Sequence, residues 1–151
     1  MKKVKILSIV SLLMLLSCQK EEVLPNDNWD KLLIGEWNGV GGIDGNGRRE
    51  DRPPYAIFIY YEQGLVFYPD NNMSYRRYNR EDSTWMTAVV DNLEYQLNKR
   101  DSVLTLMYER GGSDEIIQDY KIVKLNDTQL TLYLEKGAGG LKGTYELIKG
   151  K

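Results

Sequence analysis

Histidine is absent from this chain of 151 residues, and there is only one cysteine. The lack of histidine excludes Ser-His-Asp and Cys-His catalysis as well as His-based metal sites. A single cysteine cannot form a disulfide within the chain, so core packing must stabilise the fold. The aromatic residues, 11 Tyr, 3 Trp and 2 Phe, supply large side chains for such a core. We expect one domain without enzymatic activity, metal or cofactor.

An excess of basic charge is also lacking. Lys and Arg number 20 against 22 Asp and Glu, which gives a formal charge of −2. Loss of the first 17 residues, which include Lys2, Lys3 and Lys5, would leave 17 basic residues and a formal charge of −5. Because a mildly acidic domain repels the phosphate backbone, we expect no nucleic-acid partner.

Residues 1–17 have the layout of a secretory signal peptide. The lysines are followed by a mainly apolar stretch from Ile6 to Leu16, which Ser8 and Ser11 interrupt. As a helix these residues would extend about 16 Å, roughly half the hydrocarbon thickness of a bilayer. The stretch therefore predicts an export signal rather than a transmembrane anchor.

The junction Leu15-Leu16-Ser17-Cys18 resembles the lipobox of bacterial lipoproteins. The resemblance implies cleavage before Cys18 and attachment of lipid to its thiol, a reaction that needs a nucleophilic sulfur. Several acyl chains on one residue would give durable membrane anchoring. The alternatives are a signal peptide followed by a chance cysteine, and a buried free thiol.

Residues 18–28 are polar, contain Pro25 and lack periodicity, which predicts a lipidated flexible tether. Its start, Gln19-Lys20-Glu21-Glu22, resembles the tag that sends some Gram-negative lipoproteins to the outer face of the outer membrane. We expect a protein anchored to the bacterial outer membrane, with the cell surface and the periplasmic face both open. A solvated tether of any lipoprotein would have a similar composition.

Residues 29–151 predict a single all-β domain with one short helical turn, Trp29 to Leu33, at its start. Alternation of apolar and polar residues between turns rich in Asn, Asp and Gly is typical of strands. The predicted strands are Gly35–Val40, Tyr55–Tyr61, Leu65–Tyr68, Met73–Tyr78, Thr84–Val90, Leu93–Leu97, Val103–Glu109, Glu115–Lys124, Gln129–Leu134 and Gly143–Lys149. About eight to ten short antiparallel strands must hide their edges, which favours a closed up-and-down β-barrel.

Short motifs in this domain resemble those of lipocalin-like lipoproteins of Gram-negative bacteria. Gly35-Glu36-Trp37 is similar to the Gly-x-Trp motif that opens the first lipocalin strand, and Phe67-Tyr68-Pro69-Asp70-Asn71 is similar to an early hairpin. Tyr120–Leu125, followed by Leu130–Leu132, is similar to a late strand pair. The resemblance implies a lipocalin-like barrel, with Gly35 and Trp37 as a structural motif that plugs its closed end.

Lipocalins usually place an arginine near the last strand, where it packs on the motif tryptophan. The last arginine of this sequence is Arg110, well before the last predicted strand. Lys149 or Lys142 could take its place, although lysine lacks the planar surface of the guanidinium.

Candidate ligand-binding residues are aromatic or basic positions expected at the barrel mouth: Tyr75, Arg77, Trp85, Tyr95 and Tyr108. Alternation places Tyr75 and Arg77 on one face of their strand, with Arg76 and Tyr78 on the other. Such a pairing of guanidinium with aromatic rings suits an anionic or glycan ligand. The alternative is an exposed edge strand whose arginines prevent aggregation. Trp85 could line a cavity or fill the core.

The loop Asp44-Gly45-Asn46-Gly47 fails the EF-hand calcium pattern because Arg48 occupies the third ligand position, so it predicts a plain turn.

The leading hypothesis is a non-catalytic, membrane-anchored barrel that binds a small apolar or amphipathic ligand. The second is an interaction module with a filled core, which binds a protein or glycan at the cell envelope. A hydrolase that uses carboxylates alone is the third. Interior size distinguishes the first two, since bulky tyrosines pointing inward would leave no cavity.

Overall fold

The computed structural model describes residues 27–50, 64–88, 93–110, 114–137 and 142–150. This part of the chain contains one short helix, α1 (Trp29–Leu33), and ten strands. The strands are β1 (Gly35–Asp44), β2 (Arg49–Glu50), β3 (Gly64–Phe67), β4 (Met73–Asn79), β5 (Thr84–Ala88), β6 (Leu93–Asn98), β7 (Val103–Arg110), β8 (Asp114–Leu125), β9 (Gln129–Leu134) and β10 (Gly143–Lys149). The all-β prediction with one helical turn is confirmed. The predicted strand Tyr55–Tyr61, the signal peptide and Cys18 lie outside the described residues.

All ten strands belong to one antiparallel sheet, in the order β5-β4-β3-β1-β10-β9-β8-β7-β6, with β2 paired to β1. The first and last long strands are neighbours: Trp37 lies opposite Lys149 in the β1–β10 ladder. This pairing of the first and last strands is typical of a closed up-and-down barrel. The predicted lipocalin-like β-barrel is therefore the observed architecture.

The β6 end of this strand order contacts the chain at the start of β4. Tyr75 of β4 lies opposite Ala88 of β5. Three residues earlier in the chain, Asn72 forms an antiparallel bridge with Glu94 of β6. The amide of Tyr95 donates to the carbonyl of Asn71, with N and O 2.9 Å apart. Thus β6, which pairs with β7 on its other side, closes the sheet by contacting the residues just before β4.

Alternation along the strands fills the barrel interior. On β9, Leu130, Leu132 and Leu134 are buried while Thr131 and Tyr133 are only half-buried. The same period of two gives the buried stripes on the neighbouring strands, because successive side chains point to opposite faces. The resulting core cluster runs from α1 through every long strand except β5.

One predicted alternative is wrong. The stretch around Arg76 and Arg77 is not an exposed edge strand, because β4 pairs with β3 on one side and β5 on the other. Arg76 is itself buried, with 7% of its surface exposed. It forms an ion pair with Glu36 of β1, and its guanidinium carbon lies 5.9 Å from the ring centroid of Trp85. This arginine therefore ties three strands together on the outer face.

Candidate functional site

One end of the barrel is closed by α1 and by the last residues of β10. The Trp37 indole is fully buried and donates to the carbonyl of Leu33, with Nε1 and O 2.7 Å apart. Lys149 lies on the other side of this ring, with Nζ 4.3 Å from the ring centroid. The ammonium also donates to the carbonyl oxygens of Leu32, at 2.7 Å, and Ile34. Carbonyl groups at the end of a helix lack hydrogen-bond donors within the helix, and the Lys149 ammonium acts as the donor here.

Gly35 makes this arrangement possible. Its φ is +117°, a conformation that side chains other than hydrogen rarely allow. A Cβ atom at this position would lie 3.1 Å from Cε of Lys149. The first and third residues of the Gly-x-Trp motif therefore act together, since the glycine leaves room for the lysine that covers the tryptophan.

The barrel interior is packed by aromatic side chains near the closed end. Tyr75, Tyr95, Tyr120 and Tyr145 all belong to the buried core, as do Trp29, Trp37 and Phe67. The Tyr120 and Tyr145 rings meet edge-on, with centroids 6.1 Å apart. In the described part of the chain, this half of the interior is occupied by these aromatic side chains.

Among the described residues, the polar side chain that interrupts this apolar interior lies near the middle of β8. Gln118 is 2% exposed and shares the inward face with Tyr120, its neighbour two residues on, and with Leu106 directly across the ladder. Among the residues that the structure describes, neither its amide oxygen nor its amide nitrogen has a hydrogen-bond partner. A buried polar group left unpaired costs about 1–3 kcal/mol. An apolar residue at this position would remove that cost.

A cleft of about 540 Å³ lies outside the closed end, between α1, the β3–β4 turn and β6. Its apolar lining consists of Ile34, Pro69, Tyr95 and Leu97, and its polar lining of Asp30, Lys31, Asn71, Gln96 and Lys99. This volume falls within the range of about 300–1,000 Å³ that is typical of small-molecule sites.

Hydrogen bonds and one ion pair fix the walls of the cleft. The Tyr95 hydroxyl donates to the carbonyl of Tyr68, at 2.8 Å, and its ring packs edge-on against Phe67. Lys99 donates to the carbonyl of Asp27, at 3.2 Å, and its ammonium lies 3.7 Å from the Asp30 carboxylate. Burial raises the pKa of the Tyr95 hydroxyl, and the negative charges of Asp70 and Asp30 raise it further.

The structure does not bring the five predicted ligand residues into one site. Tyr75 is buried in the core, Tyr95 lines the cleft, and Arg77 is exposed. Trp85 pairs with Tyr78 on the outer face, where their rings lie 5.3 Å apart, opposite to the face of Tyr75. The backbone of Tyr108 belongs to β7, but its side chain lies outside the described residues. Their role in ligand binding stays a prediction.

Sequence reasoning missed Gln118 and Arg76. Alternation counted back from Tyr120 and Ile122 places Gln118 inward, so the signal for Gln118 was present. No local pattern could show that Arg76 is covered on the outer face. The Asp44 loop is the turn that the sequence predicts, since the Asp44 carboxylate accepts from the amides of Asn46 and Arg48.

Metal sites and membrane-spanning helices are both lacking within the described ranges. No group of three or more acidic or cysteine side chains there could hold a metal ion. No helix of that part of the chain is long and apolar enough to cross a bilayer.

Comparison with known proteins gives one match. Residues 33–132, more than half of the chain, match the model of the lipocalin-like domain. The matched region begins before the Gly35–Trp37 motif and includes Gln118. No curated protein and no solved structure is matched by this sequence.

Proposed function

The chain belongs to the lipocalin-like domain family, and on this premise we propose that it binds a small amphipathic ligand inside its barrel. A lipocalin-like domain points to small hydrophobic ligands in general. The observation that supports the finer proposal is the unpaired amide of Gln118 in an otherwise apolar interior. This amide can anchor the polar end of a ligand whose apolar part lies on the side of Gln118 remote from α1.

The energetics of Gln118 favour a binding role over a structural one. Two amide atoms without partners destabilise the empty barrel, whereas a ligand with a donor and an acceptor would satisfy both. Binding needs no catalytic group, so we propose a non-catalytic protein.

Native mass spectrometry of the protein purified from its own host tests this proposal. We expect a small molecule bound to the unaltered chain and its loss in Gln118→Leu. The same substitution should raise the melting temperature of the ligand-free protein by a few degrees, because about 1–3 kcal/mol of unpaired polar burial is removed. Gln129→Leu, at an exposed glutamine, is the matched control and should leave the ligand bound. A Gln118→Leu protein that keeps its ligand would contradict the proposal.

The filled half of the interior favours a second candidate, an interaction module that binds a protein or glycan at the cell envelope. Seven aromatic side chains occupy the space around the closed end. In that case the purified protein should carry no small molecule and should co-purify with a protein or glycan partner. The Gln118→Leu variant should still bind that partner.

We also propose that lipid on Cys18 anchors the protein to the bacterial outer membrane, and the lipobox-like junction supports this. Labelling of cells with radioactive palmitate should mark the unaltered protein but not Cys18→Ala. Equal labelling of both would exclude the anchor. Protease added to intact cells would degrade a surface-exposed protein and spare one on the periplasmic face.

A further inference from the structure

The cleft outside the closed end has the properties of a second binding site. It is separate from Gln118, which lies inside the barrel, and none of the hydrogen bonds that fix its walls depends on a ligand. Ile34 and Leu97 are apolar side chains that pack on the core yet stay partly exposed, and both face the cleft. An apolar ligand chain would cover surface that the fold leaves in water.

The charges around the cleft select the polar end of such a ligand. Asp30 and Lys99 lie 3.7 Å apart and largely neutralise each other. Lys31 is exposed and forms no ion pair with any described residue, so it is the lining cation whose charge no paired acid offsets. The acids Asp70 and Asp30 act on the Tyr95 hydroxyl, which makes the floor of the cleft unfavourable for an anion. An anionic group therefore belongs at Lys31, on the rim.

We propose that this cleft binds an amphipathic anion, with its carboxylate or phosphate beside Lys31 and its apolar chain across Ile34 and Leu97. Asn71 and Gln96, both exposed, also line the cleft and can form hydrogen bonds with such a ligand. The site differs from the interior one both in position and in the charge of its ligand.

Titrations of the full chain in phosphatidylcholine nanodiscs test the proposal, with methyl NMR of labelled Ile and Leu as the readout. Octanoate should shift the Ile34 and Leu97 methyl resonances. Octanol, with the same chain and no charge, should bind more weakly, octylammonium should bind most weakly, and inorganic phosphate alone should leave both resonances unmoved. Octylammonium binding as tightly as octanoate, or unmoved methyl resonances with octanoate, would overturn the proposal.

Charge variants at exposed positions sharpen the test because none of them touches the core. Lys31→Gln should weaken octanoate binding by about two- to fivefold, the factor that one exposed ion contact supplies. Lys31→Glu should reverse the preference between octanoate and octylammonium. Asp30→Asn should strengthen octanoate binding by a similar factor, since it frees Lys99, which the Asp27 carbonyl still holds in place. Unchanged affinities in these variants would contradict the assigned orientation.

Two controls separate this site from others. Lys142→Gln removes an exposed lysine beyond the opposite end of the sheet and should leave octanoate binding unchanged. Gln118→Leu should also leave it unchanged, whatever its effect on an interior ligand. If Gln118→Leu abolished the octanoate shifts, the anion would bind inside the barrel and the cleft proposal would fail.

Discussion

Lys149 covers the ring of Trp37 with its ammonium, 4.3 Å from the ring centroid, and at the same time donates to the carbonyl of Leu32. One lysine thus joins the last strand, the first strand and the end of α1. In lipocalins an arginine packs on the motif tryptophan, and in this chain a lysine at the corresponding place does so. Its aliphatic stem passes over Gly35, where any Cβ would crowd it.

The first prediction concerns this lysine. Lys149→Met should lower the free energy of unfolding by about 2–3 kcal/mol, because it removes the cation–π contact and leaves two carbonyls without a donor. Lys149→Arg should lose less than half of that amount. Urea unfolding followed by tryptophan fluorescence measures both. Lys142→Met, at an exposed lysine, is the control, and an equal loss there would show that Lys149 has no special role.

The second prediction compares two glycines with positive φ. Gly35→Ala should destabilise the protein by about 2–4 kcal/mol, through backbone strain and the close approach to Lys149. At Gly47, where φ is +81°, an added Cβ would meet no atom within 4 Å, so Gly47→Ala should cost only the strain of about 1 kcal/mol. The difference in melting temperature between the Gly35→Ala and Gly47→Ala variants measures the effect of crowding Lys149. Equal costs would mean that Lys149 moves aside freely.

The third prediction concerns the ion pair between Arg76 and Glu36. The Arg76 side chain is 8% exposed while that of Glu36 is 42% exposed, so solvent screens the acid more than the base. Glu36→Gln should cost about 1–2 kcal/mol, since it leaves a buried guanidinium without its countercharge. A double-mutant cycle with Arg76→Met should show coupling of about 1 kcal/mol. Strict additivity would refute a direct interaction.

The fourth prediction concerns stability at alkaline pH. Burial raises the pKa of Tyr145 above its ordinary value of 10.0. The folded state therefore holds this proton more tightly than the unfolded state, and the associated stability is complete below pH 10 and is lost as the pH rises through the folded pKa.

Tyr145→Phe should have little effect at pH 7, because no described hydrogen bond involves this hydroxyl, and should reduce the loss of stability between pH 10 and 12. Unfolding free energies across this range provide the measurement. Tyr133→Phe, on the outer face, is the control. Tyr95→Phe should differ from both by costing about 1 kcal/mol at pH 7, since its hydroxyl bonds to the Tyr68 carbonyl.

Much of the fold could be predicted because its signals are local. The period of two in Leu130–Leu134 and the Asn- and Gly-rich turns fix strands and their faces without any knowledge of partners. The same alternation placed Arg76 and Tyr78 on the face opposite to Tyr75, as the structure has them. Alternation could not predict how far an outward-facing side chain is buried. Whether an outward arginine is covered depends on segments distant in sequence.

The sites were less predictable for the same reason. The cleft is assembled from α1, a turn near Pro69 and the end of β6, which lie far apart in the sequence, and no local pattern shows that they meet. Gln118 is different, because its place in a stripe with Tyr120 and Ile122 could have been noticed. Attention to aromatic and basic residues drew the ligand prediction toward Trp85, whose ring lies on the outer face of the sheet.

The pairing of β1 with β10 has a consequence for how the protein is made. Strand β10, which closes the barrel against β1, follows all the other described strands in the chain. Residues 35 and 149 can therefore meet only after the segment between them has been synthesised. Forming a contact across such a long loop is slow. If the chain is exported as we propose, the pairing of β1 with β10 would therefore form only after β10 has crossed the membrane.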